Sequence, residues 1–236
     1  MSDDESTDPG PGTGWASSII KAEDPVALTP LRVEKRRLAA SMRRVIDQLV
    51  SVDAPIDLVR DAADDLERVA DRFSGQPPQG YEGFAEAANA PRHDSFVDHS
   101  PVLGRANPLA PPLELWFDDG RIVAEVTFGS AYEGPPGCVH GGWVAAAFDE
   151  VLGATQSLSG SGGMTAKLTV NYRKPTPLHE LLRFEGELAG VEGRKIFTIG
   201  RLYHGELLTA EAEGLFISID FARFAELRRR REQERS

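Results

Sequence analysis

The sequence predicts an α+β domain in which one antiparallel sheet curls around a single buried helix, preceded by a helical hairpin. Three observations carry that reading. Residues 134–158, GPPGCVHGGWVAAAFDEVLGATQSL, run from Pro/Gly turn chemistry into an apolar stretch of good helix formers. Six segments with strand composition flank it, separated by Gly, Pro and Asp turns. Two apolar stripes at helical spacing precede everything else.

The central helix is expected to start near His140 and to end before Ser159-Gly160. Its first two turns carry almost nothing polar on any face, which marks a buried helix. Its length, its Gly/Ser flanks and the Asp149-Glu150 pair exclude a membrane span. A glycine-rich N-terminus leaves backbone N–H groups unpaired at the positive end of the helix dipole, suited to an anion or a developing oxyanion.

Thr29-Pro30 signals a helix start, and Leu31, Leu38, Met42, Val45 and Leu49 form the first stripe. Asp53 is read as the N-cap of a second helix striped by Ile56, Val59, Ala63, Leu66, Val69 and Phe73. The first arm is basic and the second acidic, so the expected hairpin is held by complementary charge on solvated faces. Residues 75–106 read as a linker with scattered apolar residues that pack on the next unit. Leu113–Phe117 and Arg121–Phe128 are strand candidates joined at Asp118-Asp119-Gly120. After the helix come Met164–Lys174, Leu181–Ala189, Lys195–His204 and Leu207–Ser218, read as a four-strand meander of antiparallel neighbours. The domain division is then 1–28 acidic disordered tail, 29–74 hairpin, 75–106 linker, 107–220 core and 221–236 basic tail.

A net charge of -11 argues against a nucleic-acid partner. One cysteine, Cys138, excludes an internal disulfide framework and fits a reducing compartment; with no spanning stretch, the expected location is cytoplasmic. No spacing of His, Cys, Asp or Glu suggests a metal site, and no cofactor is expected.

One set of residues goes further. Glu133-Gly134-Pro135-Pro136-Gly137, Val139-His140-Gly141-Gly142, Asp149, Met164-Thr165-Ala166 and Asn171-Tyr172-Arg173-Lys174-Pro175 together resemble the PaaI-like hotdog-fold acyl-CoA thioesterases. The resemblance covers about 107–220 and leaves the hairpin outside, so the hairpin is expected to be dispensable for chemistry. It implies hydrolysis of an acyl-CoA thioester, with Asp149 as general base or nucleophile and the Gly141 amide polarising the carbonyl. Thr165 matches a position that orients the attacking water in some members, and His140 one near the thioester; Gly142 is a candidate substrate-binding residue. Some relatives carry Asn where this chain has Gly134. Read from the residues alone, His140 is equally a helix cap or core histidine, and Thr165 a packing residue. A carboxylate inside an apolar helix is desolvated, which raises its pKa toward that of a useful base.

Arg173, Lys174, Arg194 and Lys195 stand near strand ends, where they could neutralise the phosphates of CoA or simply guard edges. Trp116, Trp143 and Phe148 are candidate acyl-pocket walls or plain core. The alternative function is a non-catalytic acyl-CoA-binding hotdog protein acting as a sensor. Gly141 and Asp149 are eight residues apart, roughly 12 Å along a helix axis at 1.5 Å per residue. One thioester cannot touch both, so the expected assembly is a homodimer, or a dimer of dimers, with sites shared across a two-fold axis.

Overall fold

The computed structural model of the chain describes residues 29–76 and 98–219. The expected N-terminal tail, most of the linker and the C-terminal tail lie outside the described residues. The elements are α1 (Pro30–Ser51), α2 (Ile56–Asp71), β1 (Glu114–Asp118), β2 (Arg121–Thr127), α3 (Gly141–Gln156), β3 (Gly163–Tyr172), β4 (Leu181–Glu192), β5 (Lys195–His204) and β6 (Leu207–Ser218). Single 3-10 turns occupy Ser130–Tyr132 and Ser157–Ser159. Among the described residues no helix is long and apolar enough to cross a membrane.

The six strands form one antiparallel sheet in the order β1-β2-β4-β5-β6-β3. It is open. β1 and β3 are its two edges and do not pair with each other, so the expectation of a sheet curled around the helix is corrected. The helix instead covers one face. Along β5 the buried residues Ile196, Thr198, Gly200 and Leu202 alternate with the partly exposed Phe197, Ile199, Arg201 and Tyr203, as expected where a single layer covers one side of a sheet.

The four-strand meander is corrected too. β4, β5 and β6 follow one another, but β3 pairs with β6 and β4 pairs with β2. Two-residue links force neighbours, whereas the link 173–180 is long enough to cross. β3 and β4 are three strand spacings apart, about 14 Å, and eight extended residues reach about 26 Å. The β1–β2 hairpin turns as its sequence demands, with positive φ at Asp119 and Gly120.

α3 lies close to the sheet because the strands beneath it carry small residues. Gly186, Gly200 and Ala212 are register partners across β4, β5 and β6. A Cβ on Gly200 would stand 3.0 Å from the Phe148 ring, and one on Gly186 would collide with Thr155 Oγ1. Phe148 meets Phe184 edge-on at 5.0 Å, and both are fully buried in the core.

α1 starts where expected: Thr29 caps it, its side chain accepting from the Arg32 N–H, with Pro30 at the first helical position. α2 is capped at Pro55 rather than Asp53, with no side-chain cap bond. α1 meets the core through polar groups. Asp98, 3% exposed, accepts from Arg32 Nε (2.5 Å) and Arg36 Nε (2.9 Å). Arg43 donates to the carbonyls of Arg105 and Asn107, and Asp47 accepts from the Ser130 N–H at 2.7 Å. Residues 32, 36, 39, 43 and 47 share one helix face. The basic arm's charge is thus directed at the core, and Arg60 and Arg68 of α2 pair within their own helix, with Asp57 and Asp65.

Gly186→Ala should lower stability by about 1–3 kcal/mol, the usual range for overpacking, and by less in a Thr155→Ala background. Equal losses in both backgrounds, measured by urea titration, would show that this contact does not limit the approach of α3.

Candidate functional site

The loop before α3 is tied on both sides. The His140 N–H donates to the Tyr132 carbonyl (2.9 Å), the Val139 N–H to Thr176 (2.8 Å), and the Leu178 N–H to Gly137 (3.1 Å). Gly137, at φ 74, donates its N–H to Glu133 Oε1. His140 is the N-cap, and its Nδ1 accepts from the Gly142 N–H at 3.0 Å. Nδ1 therefore carries the lone pair, and a neutral ring keeps its proton on Nε2. Of the two readings open for His140, the cap is the role its own chain supplies.

The Gly141 N–H finds no acceptor among the described residues. The Gly141 carbonyl is held: Tyr172 Oη donates to it at 2.7 Å. Sequence reasoning quoted Tyr172 within a motif and gave it no role, because nothing in a strand pattern says that the last residue of β3 reaches the start of a helix 31 positions earlier. A Cβ on Gly141 would lie 3.2 Å from that hydroxyl, so a larger residue there requires the Tyr172 ring to give by a few tenths of an ångström.

Asp149 is exposed on α3 although its neighbour Phe148 is fully buried. Thr165 Oγ1 donates to Asp149 Oδ1 at 2.8 Å. The β3–β6 register shifts between Thr165 and Lys167, and such bulges re-aim side chains. The chain thus brings Asp149 together with Thr165, and His140, Gly141 and Gly142 together with Tyr172, as two separate groups on one helix.

The burial expected for Asp149 falls on Glu150. Burial pushes the Glu150 carboxyl up from its ordinary value; a hydrogen bond from Ser100 Oγ (2.9 Å) opposes the shift and the nearby Asp149 charge adds to it. Ser100 Oγ also accepts from the Val102 and Leu103 N–H groups, so the hydroxyl is fully used. This anchor lies 50 residues before Glu150 and has no sequence signal.

The four basic candidates separate into two ends. Arg173 pairs with Glu211 on β6 (2.7 Å) and Lys174 is exposed beside it, at the Tyr172–Gly141 end. Arg194 donates to the Ser218 carbonyl and Lys195 is exposed beside it. Lys195 pairs with Ile217, which pairs with Met164, so this second end adjoins Thr165. Of the aromatic candidates, Phe148 is core, Trp143 stacks edge-on against Tyr132 at 4.9 Å, and Trp116 is exposed on the far edge strand β1. At Gly134 no side chain fits without movement, since a Cβ would come within 2.7 Å of His140 Cα. A cleft of about 330 Å³, lined by Arg43, Asp47, Pro112, Thr127 and Tyr132, lies under α1 and includes neither Asp149 nor Gly141. Among the described residues no three His, Cys, Asp or Glu side chains gather as a metal cage.

The family model described as the thioesterase superfamily matches residues 136–211. A crystal structure described as a thioesterase superfamily protein is 35% identical, with a TM-score of 0.67, and the match covers 78% of this chain and 94% of that one. The chain belongs to the hotdog-fold thioesterase superfamily. Acyl-coenzyme A thioesterase THEM4 of Xenopus laevis is 38% identical over 101 residues, 42% of this chain and 46% of the relative. Acyl-coenzyme A thioesterase THEM5 of Homo sapiens is 32% identical over 93 residues, 39% and 38% of the two chains. The chain therefore spans less than half the length of these curated relatives. The superfamily match takes in α3, β3, β4 and β5, the elements that hold both residue groups.

A raised Glu150 pKa has a definite sign for stability. The folded state holds this proton more tightly than the unfolded state, so the contribution is whole below the ordinary value of 4.5 and is lost as pH rises through the higher folded value. Glu150→Gln keeps an acceptor for Ser100 and removes the charge. The variant should gain stability over wild type as pH rises from 4 to 8; parallel stability curves across that window would count against a buried, proton-retaining Glu150.

Proposed function

We propose that this thioesterase-superfamily chain hydrolyses an acyl-CoA thioester to the free acid and CoA. The observation that carries the proposal is the Thr165 Oγ1 to Asp149 Oδ1 hydrogen bond. It fixes the carboxylate on the exposed side of α3 and leaves the second oxygen for a water. In this reading Asp149 takes a proton from that water as its oxygen attacks the thioester carbon. Electron density moves onto the carbonyl oxygen, which the Gly141 N–H stabilises with the positive end of α3 behind it. The tetrahedral intermediate collapses, the C–S bond breaks, and the leaving CoA sulfur takes up the proton that Asp149 had accepted, which restores the carboxylate. Thr165 orients the acid, while His140, Gly142 and Tyr172 fix the geometry of the helix start. The relatives named as acyl-coenzyme A thioesterases support the substrate class.

The two groups work on one carbonyl only across two subunits. Eight residues of helix separate them by about 12 Å, whereas reacting atoms and their catalytic groups must lie about 3 Å apart. A two-fold homodimer setting α3 antiparallel beside its copy places Asp149 of one subunit opposite Gly141 of the other, giving two sites per dimer. The edge of β3 supports such a contact, because its outer backbone groups have no partner strand among the described residues. The same operation brings the Lys195 end of one subunit to the Lys174 end of the other, so both lysines can face the CoA phosphates.

Asp149→Asn should reduce turnover by at least about a hundredfold, the scale of a lost general base, while acyl-CoA binding persists. Release of free thiol from a panel of acyl-CoA esters reads the first effect and equilibrium binding the second. Near-normal turnover removes Asp149 from the mechanism, and binding without hydrolysis across the wild-type panel favours the sensor reading.

Shared sites have their own signature. Asp149→Ala and Gly141→Pro are each expected to be inactive. In a mixed dimer one site carries both defects and the other carries neither. Random pairing makes half the dimers mixed, so co-expression should restore about a quarter of wild-type activity. Verified mixed dimers with no recovery place both residues' work within one subunit.

A further inference from the structure

α3 is gripped at mid-length from two sides. β3 holds Asp149 through Thr165, and on the next residue Ser100 Oγ donates to Glu150 Oε1 at 2.9 Å. Consecutive helix residues point about 100° apart, so the two grips do not duplicate each other. The Ser100 hydroxyl has a fixed direction. Its oxygen accepts from the Val102 and Leu103 N–H groups, both at 3.1 Å, and its one proton goes to Glu150. Burial works against the Glu150 charge, and this hydrogen bond works for it.

Ser100 is in turn held by α1. Two residues before it, the nearly inaccessible Asp98 accepts from Arg32 and Arg36. The turn that carries both residues is tight. The Ala106 N–H donates to the Asp98 carbonyl (3.2 Å) and the Gly104 N–H to the Ser100 carbonyl (3.0 Å), while Val102 and Leu103 are buried in the core. A Cβ on Gly104 would stand 2.5 Å from the Asp98 carbonyl oxygen, so glycine lets this turn close. A continuous route therefore runs from α1 through Asp98 and Ser100 to Glu150, the neighbour of the candidate base. The extent of the family motifs makes the hairpin look dispensable; this route makes α1 part of the support of the site.

We propose that Ser100 is a positioning residue for Asp149, acting through Glu150, and that the Arg32 and Arg36 contacts with Asp98 hold Ser100 in place. Its effect on turnover rests on the reading of Asp149 as the base. Without Ser100 a half-buried carboxylate loses its donor, a costly state that Glu150 relieves by moving out to water. Asp149 shares a peptide bond with it and is displaced too, and small displacements of a catalytic group cost large factors in rate.

The test reads kcat and KM separately for thiol release by the full chain. Ser100→Ala should lose about tenfold in kcat, the scale of an unpaired buried acceptor, with KM unchanged. Ser100→Thr, which keeps the hydroxyl, should recover most of that loss. In a Glu150→Gln background no charge is left unpaired, and Ser100→Ala should cost less than about twofold. Asp98→Asn probes the α1 arm and keeps one acceptor for the arginines; its kcat should also fall with KM unchanged. Wild-type kcat in Ser100→Ala or in Asp98→Asn overturns the proposal. So does an equal loss in both Glu150 backgrounds, which would make Ser100 a residue of the fold alone. A wild-type chain that releases no thiol from any ester fails the hydrolysis reading instead, and amide exchange then decides. Amides 147–152 should exchange faster in both variants relative to those of β5, which report global stability; unchanged ratios overturn the proposal. Should Ser100→Ala not fold, Asp98→Asn carries both readouts.

Discussion

The seat of α3 on the sheet is the constraint from which the rest of the core follows. Gly186, Gly200 and Ala212 lower the sheet surface beneath the helix, so Phe148, Val151 and Thr155 are pressed into the strands. A helix fixed that closely cannot roll. Its rotation decides that Phe148 is buried, that Asp149 faces out toward Thr165, and that Glu150 points sideways to Ser100. Three consecutive residues thus meet three environments, and their chemistry diverges for that reason alone. Added bulk under α3 would tilt all three at once.

Much of this was legible in the sequence. The boundaries of α3, β2, β5 and β6 follow from turn residues and periodicity, because short links and alternation are local signals. The pairing of β3 was not legible, since an eight-residue link permits both a neighbour and a crossing, and only the packing of α3 against the whole sheet decides between them. The curled sheet was likewise an expectation about global shape, and no local pattern of residues distinguishes an open sheet from a closed one. Within the site, Asp149, Thr165 and the glycine pair stood out by motif. Tyr172 and Ser100 did not, because their roles are contacts over 31 and 50 residues of chain.

Asp149 and Glu150 show why burial, and not residue type, has to assign such roles. Sequence reasoning took both to lie in an apolar helix and expected desolvation at Asp149. Glu150 carries it instead, and Ser100 meets only part of the cost. A buried, partly compensated carboxyl beside the candidate base is an electrostatic neighbour whose charge state the base must feel.

The hairpin obeys the same physics with the polarity reversed. Asp98 is nearly inaccessible yet holds two arginines, and Asp47 closes the Gly129–Ser130 turn so tightly that a Cβ on Gly129 would stand 2.6 Å from its carboxylate oxygen. Buried ionic contacts are costly unless fully paired, and what they provide is register rather than adhesion. The apolar stripe of α1 faces the other way. A helix serving only to cover the core would turn its leucines inward, and α1 turns its arginines inward instead.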